Sequence, residues 1–210
     1  VREISEIFAA MFDVSPTAMA VTYASDTFAY LLDEPERIAE TARTVPVLDG
    51  IPDVEETGTT FEANARIKAT ALGFMGIPSI ADDSGLAVDA LDGAPGVYSA
   101  RYAGTGDAAD NIAKLLRELD DRDDRTARFV TVALAVWPDG REVVVRGEVE
   151  GHITRAPRGA GGFGYDPVFE PVDGDGRTFA EMAPAEKHAV SHRGRAFRAL
   201  AEIFDGEGNG

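Results

Sequence analysis

The chain contains no cysteine. That excludes disulfides and thiolate metal sites, and it suits a reducing compartment such as the cytoplasm. Lysine is also scarce, confined to Lys68, Lys114 and Lys187, so arginine supplies most of the positive charge. Against 37 Asp and Glu, the 20 Lys and Arg leave a formal charge of −17. A field of that sign repels phosphate backbones, so nucleic acid is not an expected partner. It also repels small phosphorylated ligands, which then need a metal ion and a local basic cluster. No apolar run approaches the roughly 20 residues that cross a bilayer, and no basic-then-apolar signal segment opens the chain. No membrane partner is expected.

What is present is an ordinary globular composition, 44% hydrophobic over 210 residues, enough for one domain with a real core. Helical spacing of Ile4, Ile7, Phe8 and Met11 predicts an amphipathic helix over residues 1–12. Residues 13–50 give a poor signal. Thr59 and Glu62 stand at capping-box spacing and predict a helix running to Gly76 as its C′ glycine. A second helix is predicted over 110–119 from Ile112, Leu115, Leu116 and Leu119, followed by a charged loop over 120–125. The β-prone run 129–137, the turn Pro138-Asp139-Gly140 and the run 142–149 predict a hairpin. A closing helix is expected from Ser191 to Phe204, with residues 205–210 as a disordered tail. Helices flanking a hairpin-bearing sheet give a mixed α/β architecture.

The apolar stretch Ile77-Pro78-Ser79-Ile80-Ala81 predicts a buried strand ending at Asp82-Asp83. Charge at such a strand end is costly unless compensated. In a parallel α/β sheet, ligands collect at the carboxyl ends of strands, and a divalent cation is one compensation. A helix N-cap is the other, since Asp and Ser both suit it. Residues adjacent on a strand point to opposite faces. Asp82 and Asp83 therefore share one site only if the chain turns at Ser84-Gly85.

Three other places carry candidate chemistry. Glu55-Glu56 precedes a helix, where acids also favour the macrodipole. Gly161-Gly162-Phe163-Gly164-Tyr165-Asp166-Pro167 lets backbone approach a flat ligand, with Phe163 or Tyr165 available to stack, although a tight interstrand loop has the same composition. Lys187-His188 with Ser191-His192-Arg193-Gly194 is a basic cluster in an acidic protein, or ordinary capping and surface charge. Acids for a metal, an aromatic glycine loop for a base and a basic patch for phosphates together describe a Mg²⁺-dependent enzyme acting on a nucleotide.

The ordered motifs Glu55-Glu56-Thr57-Gly58-Thr59-Thr60-Phe61-Glu62-Ala63-Asn64-Ala65-Arg66-Ile67-Lys68, Ala81-Asp82-Asp83-Ser84-Gly85-Leu86, Pro95-Gly96-Val97-Tyr98-Ser99-Ala100-Arg101, Gly162-Phe163-Gly164-Tyr165-Asp166-Pro167 and Ser191-His192-Arg193 carry a family resemblance. Over about residues 50–204 the chain resembles the Ham1/inosine triphosphate pyrophosphatases, enzymes of noncanonical purine nucleotides. The resemblance implies an elongated two-lobed Maf/Ham1-type α/β fold, a homodimer, and Mg²⁺-dependent hydrolysis of ITP, dITP or XTP to the monophosphate and pyrophosphate. It implies that Glu56, Asp83 and Asp82 attend the metal, with Asp83 as general base. Ser84, Lys68, Phe163, Gly164, Tyr165, Asp166, Lys187, His192 and Arg193 correspond to substrate contacts.

The family also opens with a strand and a Ser/Thr-Gly/x-Asn-x-x-Lys phosphate loop, which the sequence before Glu3 does not show, and residues 13–50 depart from the family's connection. Weak triphosphate binding by this chain, or none, is the matching expectation, with activity expected of its full-length parent. Two further readings stand beside the first: a Maf-like pyrophosphatase of other modified nucleotides, and a non-catalytic nucleotide-binding remnant.

Overall fold

The computed structural model describes residues 54–71 and 79–207, with side chains to residue 204. The expected elements in residues 1–50, and the expected C′ Gly76, lie outside the described residues. The elements in order are α1 (Phe61–Thr70), β1 (Ser79–Val88), α2 (Ala108–Glu118), β2 (Thr126–Val136), β3 (Glu142–Ile153), β4 (Phe169–Pro171), α3 (Pro184–Val190) and α4 (His192–Glu207). Short 3₁₀ turns lie between them, including Gly96–Arg101. Among the described residues the strands form one four-stranded sheet in the order β1-β2-β3-β4, antiparallel at every pairing. The mixed α/β class expected from the sequence holds.

The hairpin follows from its turn. Trp137 N–H donates to the Arg141 carbonyl at 2.9 Å, and Gly140 takes φ +86°, which glycine adopts without a Cβ penalty. Both hairpin strands are long enough to receive a helix on each face. On β2, Val132 and Leu134 pack against Ala65 and Ala69 of α1. The alternate residues Ala133 and Ala135 pack against Ala196, Leu200 and Phe204 of α4. This two-residue period is the reason one strand serves two helices. Small residues at the contacts bring both helices close to the sheet.

Three elements differ from their expected bounds in ways that matter. The N-cap of α1 is Thr60 rather than Thr59, because Thr60 Oγ1 accepts from Ala63 N–H at 3.1 Å. The helix ends at Thr70, with Ala71 as C-cap. β1 does not stop at the acidic pair. It runs on to Val88 in unbroken register, with Asp82 opposite Ala133, Asp83 opposite Val132 and Ser84 opposite Thr131. The expected turn at Ser84-Gly85 is absent, and in an antiparallel sheet the acids sit mid-strand rather than at a parallel strand's carboxyl end. Gly85 marks a close approach instead: a Cβ there meets the Gly96 carbonyl and Ser99 Oγ. At the far end, α4 continues to Glu207, into the stretch expected as tail.

Candidate active site

Consecutive positions on β1 send Asp82 and Asp83 to opposite faces of the sheet. Asp83 lies under α1. Asn64 and Lys68, at i and i+4 on that helix, form one row and both reach its carboxylate. Lys68 Nζ donates to Asp83 Oδ1 at 3.0 Å and Asn64 Nδ2 to Oδ2 at 3.2 Å. The same ammonium lies 2.9 Å from Glu56 Oε1, while Arg101 approaches Glu56 Oε2 at 3.8 Å. Asn64 is fully buried, and its Oδ1 accepts from Gly58 N–H at 2.8 Å. That bond settles which side of the amide is oxygen and leaves Nδ2 to donate to Asp83. Glu56 and Asp83, distant in sequence, are thus drawn together by one lysine and one asparagine.

Burial pushes the Asp83 carboxyl above its ordinary value, against the opposing pull of Lys68, while the Glu56 charge adds to the rise. Burial lowers Lys68, but Asp83 and Glu56 together carry it above its ordinary value.

Asp82 lies on the α4 face. Its Oδ2 accepts from Arg193 Nε at 2.9 Å and from Ser84 Oγ at 3.0 Å. Asp82, expected as a third metal-associated acid beside Glu56 and Asp83, is thus on the other side of the sheet with its carboxylate occupied. Ser84, expected as a substrate contact, is held between Asp82 and Thr131, whose Oγ1 is 2.8 Å away.

Arg193 and His192 arrive at this face because α4 crosses β3 at Gly147, where a Cβ would run into the His192 carbonyl and Ala196. Ser191 caps the helix, its Oγ accepting from Gly194 N–H at 3.1 Å. His192 stacks on Phe129 at 4.6 Å between ring centroids. Its Nδ1 is buried with no hydrogen-bond partner, a costly state in a native interior. Burial first, then the charges of Arg193 and Lys187, hold this imidazole neutral.

The aromatic loop completes the face. Phe163 is 38% exposed, whereas Tyr165 is buried and its hydroxyl donates to the Ser99 carbonyl at 2.9 Å. Phe163 is therefore the ring open to a ligand, and Tyr165 ties the loop to the segment that carries Arg101. Asp166 is buried in an ion pair with Lys187 and accepts from Phe163 N–H at 2.7 Å. Lys187 Nζ lies 4.4 Å from the centroid of the Phe163 ring. Gly164 takes φ +56°, which turns the chain between the two aromatics. These last contacts hold the loop in shape.

Asn64, Arg101 and Thr131 are site residues that motif reading left without a role. An asparagine inside the predicted helix was the available signal, since that side chain competes with the helix backbone unless it has a partner elsewhere.

Among the described residues, no group of three or more His, Asp or Glu side chains is assembled to hold a metal. Glu56 and Asp83 nonetheless fit Mg²⁺, which uses one or two carboxylates and completes its shell with water and substrate phosphates. The Lys68 ammonium between them shows that this place calls for positive charge.

Fold and side chains together define a mixed α/β protein with a lysine-bridged acid pair on one sheet face and a cluster of aromatic and basic side chains on the other. The chain belongs to the Ham1 family, whose model matches residues 26–203. A dITP/XTP pyrophosphatase of Mycolicibacterium paratuberculosis is 55% identical over 172 residues, covering 79% of this chain and 84% of that protein. One from Streptomyces coelicolor is 52% identical over 157 residues, covering 73% of this chain and 78% of that protein. The HAM1 protein of Coxiella burnetii superposes with a TM-score of 0.72 at 40% identity, covering 83% of this chain and 95% of that one.

Proposed function

We propose that the protein hydrolyses noncanonical purine nucleoside triphosphates, ITP, dITP or XTP, to the monophosphate and pyrophosphate. The observation that carries this reading is the pairing of Glu56 and Asp83 around Lys68 in a chain about half identical to dITP/XTP pyrophosphatases.

Asp83 is the group to receive a proton. Burial raises its basicity, and Lys68 and Asn64 fix the carboxylate in place. Water attacks the α-phosphorus, its proton passes to Asp83, and the bond to the pyrophosphate oxygen breaks. Lys68 offsets the gathering negative charge and keeps Glu56 and Asp83 from repelling each other. Glu56 and Asp83 would hold Mg²⁺, which when bound would neutralise the triphosphate and polarise its phosphorus.

Phe163 offers a stacking surface for the base. Arg193 supplies donors that the oxo group of hypoxanthine or xanthine accepts and the amino group of adenine does not. The unpartnered Nδ1 of His192 belongs to the same recognition.

The enzyme acts as a homodimer in the cytoplasm. Exposed Tyr98 and Val144 line one groove of about 620 Å³ beside α1, an apolar surface suited to a second copy. Among the described residues no helix is long and apolar enough to cross a membrane.

The deciding experiment is pyrophosphate release from ITP, XTP, dITP, GTP, ATP and modified pyrimidine triphosphates, with Mg²⁺ and with chelator. Turnover confined to the oxo-purines and dependent on Mg²⁺ is expected. A preference for modified pyrimidines, or no turnover of any of them, overturns the reading.

A further inference from the structure

Arg193 is gripped from the side. Its Nε donates to Asp82, with the Arg193 and Asp82 side chains only 20% and 10% exposed. Ser84 has a single hydroxyl proton and gives it to Asp82 Oδ2, so Thr131 is the donor to Ser84. The bonds therefore run from Thr131 to Ser84 to Asp82, where Arg193 meets them. Thr131 is fully buried on β2, opposite Ser84 in register, which makes the far end of this chain part of the rigid sheet.

With Nε held, the terminal Nη1 and Nη2 of Arg193 have no hydrogen-bond partner among the described residues. The guanidinium carbon lies 5.9 Å from the centroid of the Phe163 ring. The planar donor fork is thus fixed at one edge, with its free donors beside the ring that is open to a base.

We propose that Asp82 is a positioning residue for purine discrimination rather than a metal-associated acid. It rests on the nucleotide reading above: a carboxylate on the α4 face locks the plane of the Arg193 guanidinium, so its terminal donors meet the oxo edge of a base stacked on Phe163. A fork held in one plane penalises an amino group at that position. A fork free to rotate turns away from it, and selectivity falls. Adjacent residues of β1 then divide the work, with Asp82 serving recognition on one face and Asp83 serving bond cleavage on the other.

The test compares the full chain with its Asp82→Asn variant in steady-state hydrolysis of ITP and ATP, both proteins first checked for equal folding by circular dichroism. Loss of a charge-assisted bond is expected to raise the KM for ITP about tenfold and to lower the ITP-over-ATP preference by a similar factor. The kcat for ITP should stay within about threefold. A collapse of kcat with KM unchanged, accompanied by a raised Mg²⁺ requirement, places Asp82 at the reacting end and overturns the proposal.

Unaltered discrimination in Asp82→Asn overturns it too, while leaving the nucleotide reading intact. A wild-type chain that does not hydrolyse ITP removes both. If Asp82→Asn does not fold, Thr131→Val carries the test. It keeps side-chain volume, deletes only the hydroxyl at the far end of the chain of bonds, and should shift KM and preference in the same direction by about twofold to fivefold. No shift in that variant is evidence against the proposal.

Discussion

Asp82 and Asp83, neighbours on β1, are paired from opposite sides of the sheet, Asp82 with Arg193 of α4 at 2.9 Å and Asp83 with Lys68 of α1 at 3.0 Å. One peptide unit thus joins the two faces of the candidate site, the one proposed to hold a base and the one proposed to break a phosphoanhydride. Each helix delivers its cation because small residues let it approach the strands, at Ala65 and Ala69 for α1 and at Gly147 beneath α4.

Replacing Asp83 by Asn keeps the shape of the side chain and removes its ability to take a proton. Turnover of ITP should fall by about a hundredfold to ten-thousandfold, with the circular dichroism spectrum unchanged. Retained turnover would falsify the role given to Asp83.

The acid limb of kcat/KM reports the free enzyme and should lie above the ordinary aspartate value of 3.8, because burial raises the Asp83 carboxyl. Lys68 lowers that carboxyl and Glu56 raises it, so the two neighbours are expected to act with opposite sign. Lys68→Met should move the limb to higher pH, and Glu56→Gln to lower pH. Stability follows the same linkage. A carboxyl raised in the folded state favours folding most below its unfolded value, and this contribution is lost as pH rises through the folded value. Parallel shifts in both variants would contradict the network.

Asn64 holds Gly58 and Asp83 at once. Its replacement by Ala leaves a partly buried N–H and a buried carboxylate oxygen without their partner, at a cost of about 1–3 kcal/mol. The expected fall in melting temperature is about 2–12 °C by calorimetry. Asn64→Asp keeps an acceptor for Gly58 but sets a second charge against Asp83, so its acid limb should rise. A melting temperature equal to wild type in Asn64→Ala means the amide is not a clamp.

Phe163 is the open aromatic of the loop. Base–aromatic stacking is worth about 1–3 kcal/mol, so Phe163→Ala should raise the KM for ITP by about fivefold to a hundredfold. The kcat is expected to change little, since the ring lies on the face away from Asp83. An effect on kcat alone counts against stacking.

Gly147→Ala places a methyl against the His192 carbonyl and Ala196. Overpacking of this kind costs about 1–3 kcal/mol, and it pushes the N-terminus of α4 off the sheet. Melting temperature and ITP affinity should fall together, measured by calorimetry and by titration. A variant with normal values for both shows that α4 can shift without disturbing Arg193.

Local patterns placed much of this molecule. The hairpin was legible because Pro138-Asp139-Gly140 separates two β-prone runs, and α4 because Phe197, Leu200 and Phe204 repeat at helical spacing. The candidate residues were legible as motifs, since carboxylates, glycines and a basic cluster state their chemistry by type. The length of β1 was not. Asp82-Asp83-Ser84-Gly85 reads as a strand end, because nothing local shows that Arg193, Lys68 and Asn64 wait on the two faces to satisfy its charges.

The sequence alone determined the inventory: no thiols, three lysines with two of them in candidate motifs, and an ordered set of acidic, aromatic and basic motifs. Tertiary structure decided their alliances. The choice of Phe163 over Tyr165 as the open ring depends on a carbonyl at Ser99, distant in the chain. The separation of Asp82 from Asp83 depends on an antiparallel partner that keeps β1 extended, and strand geometry then sends successive side chains to opposite faces.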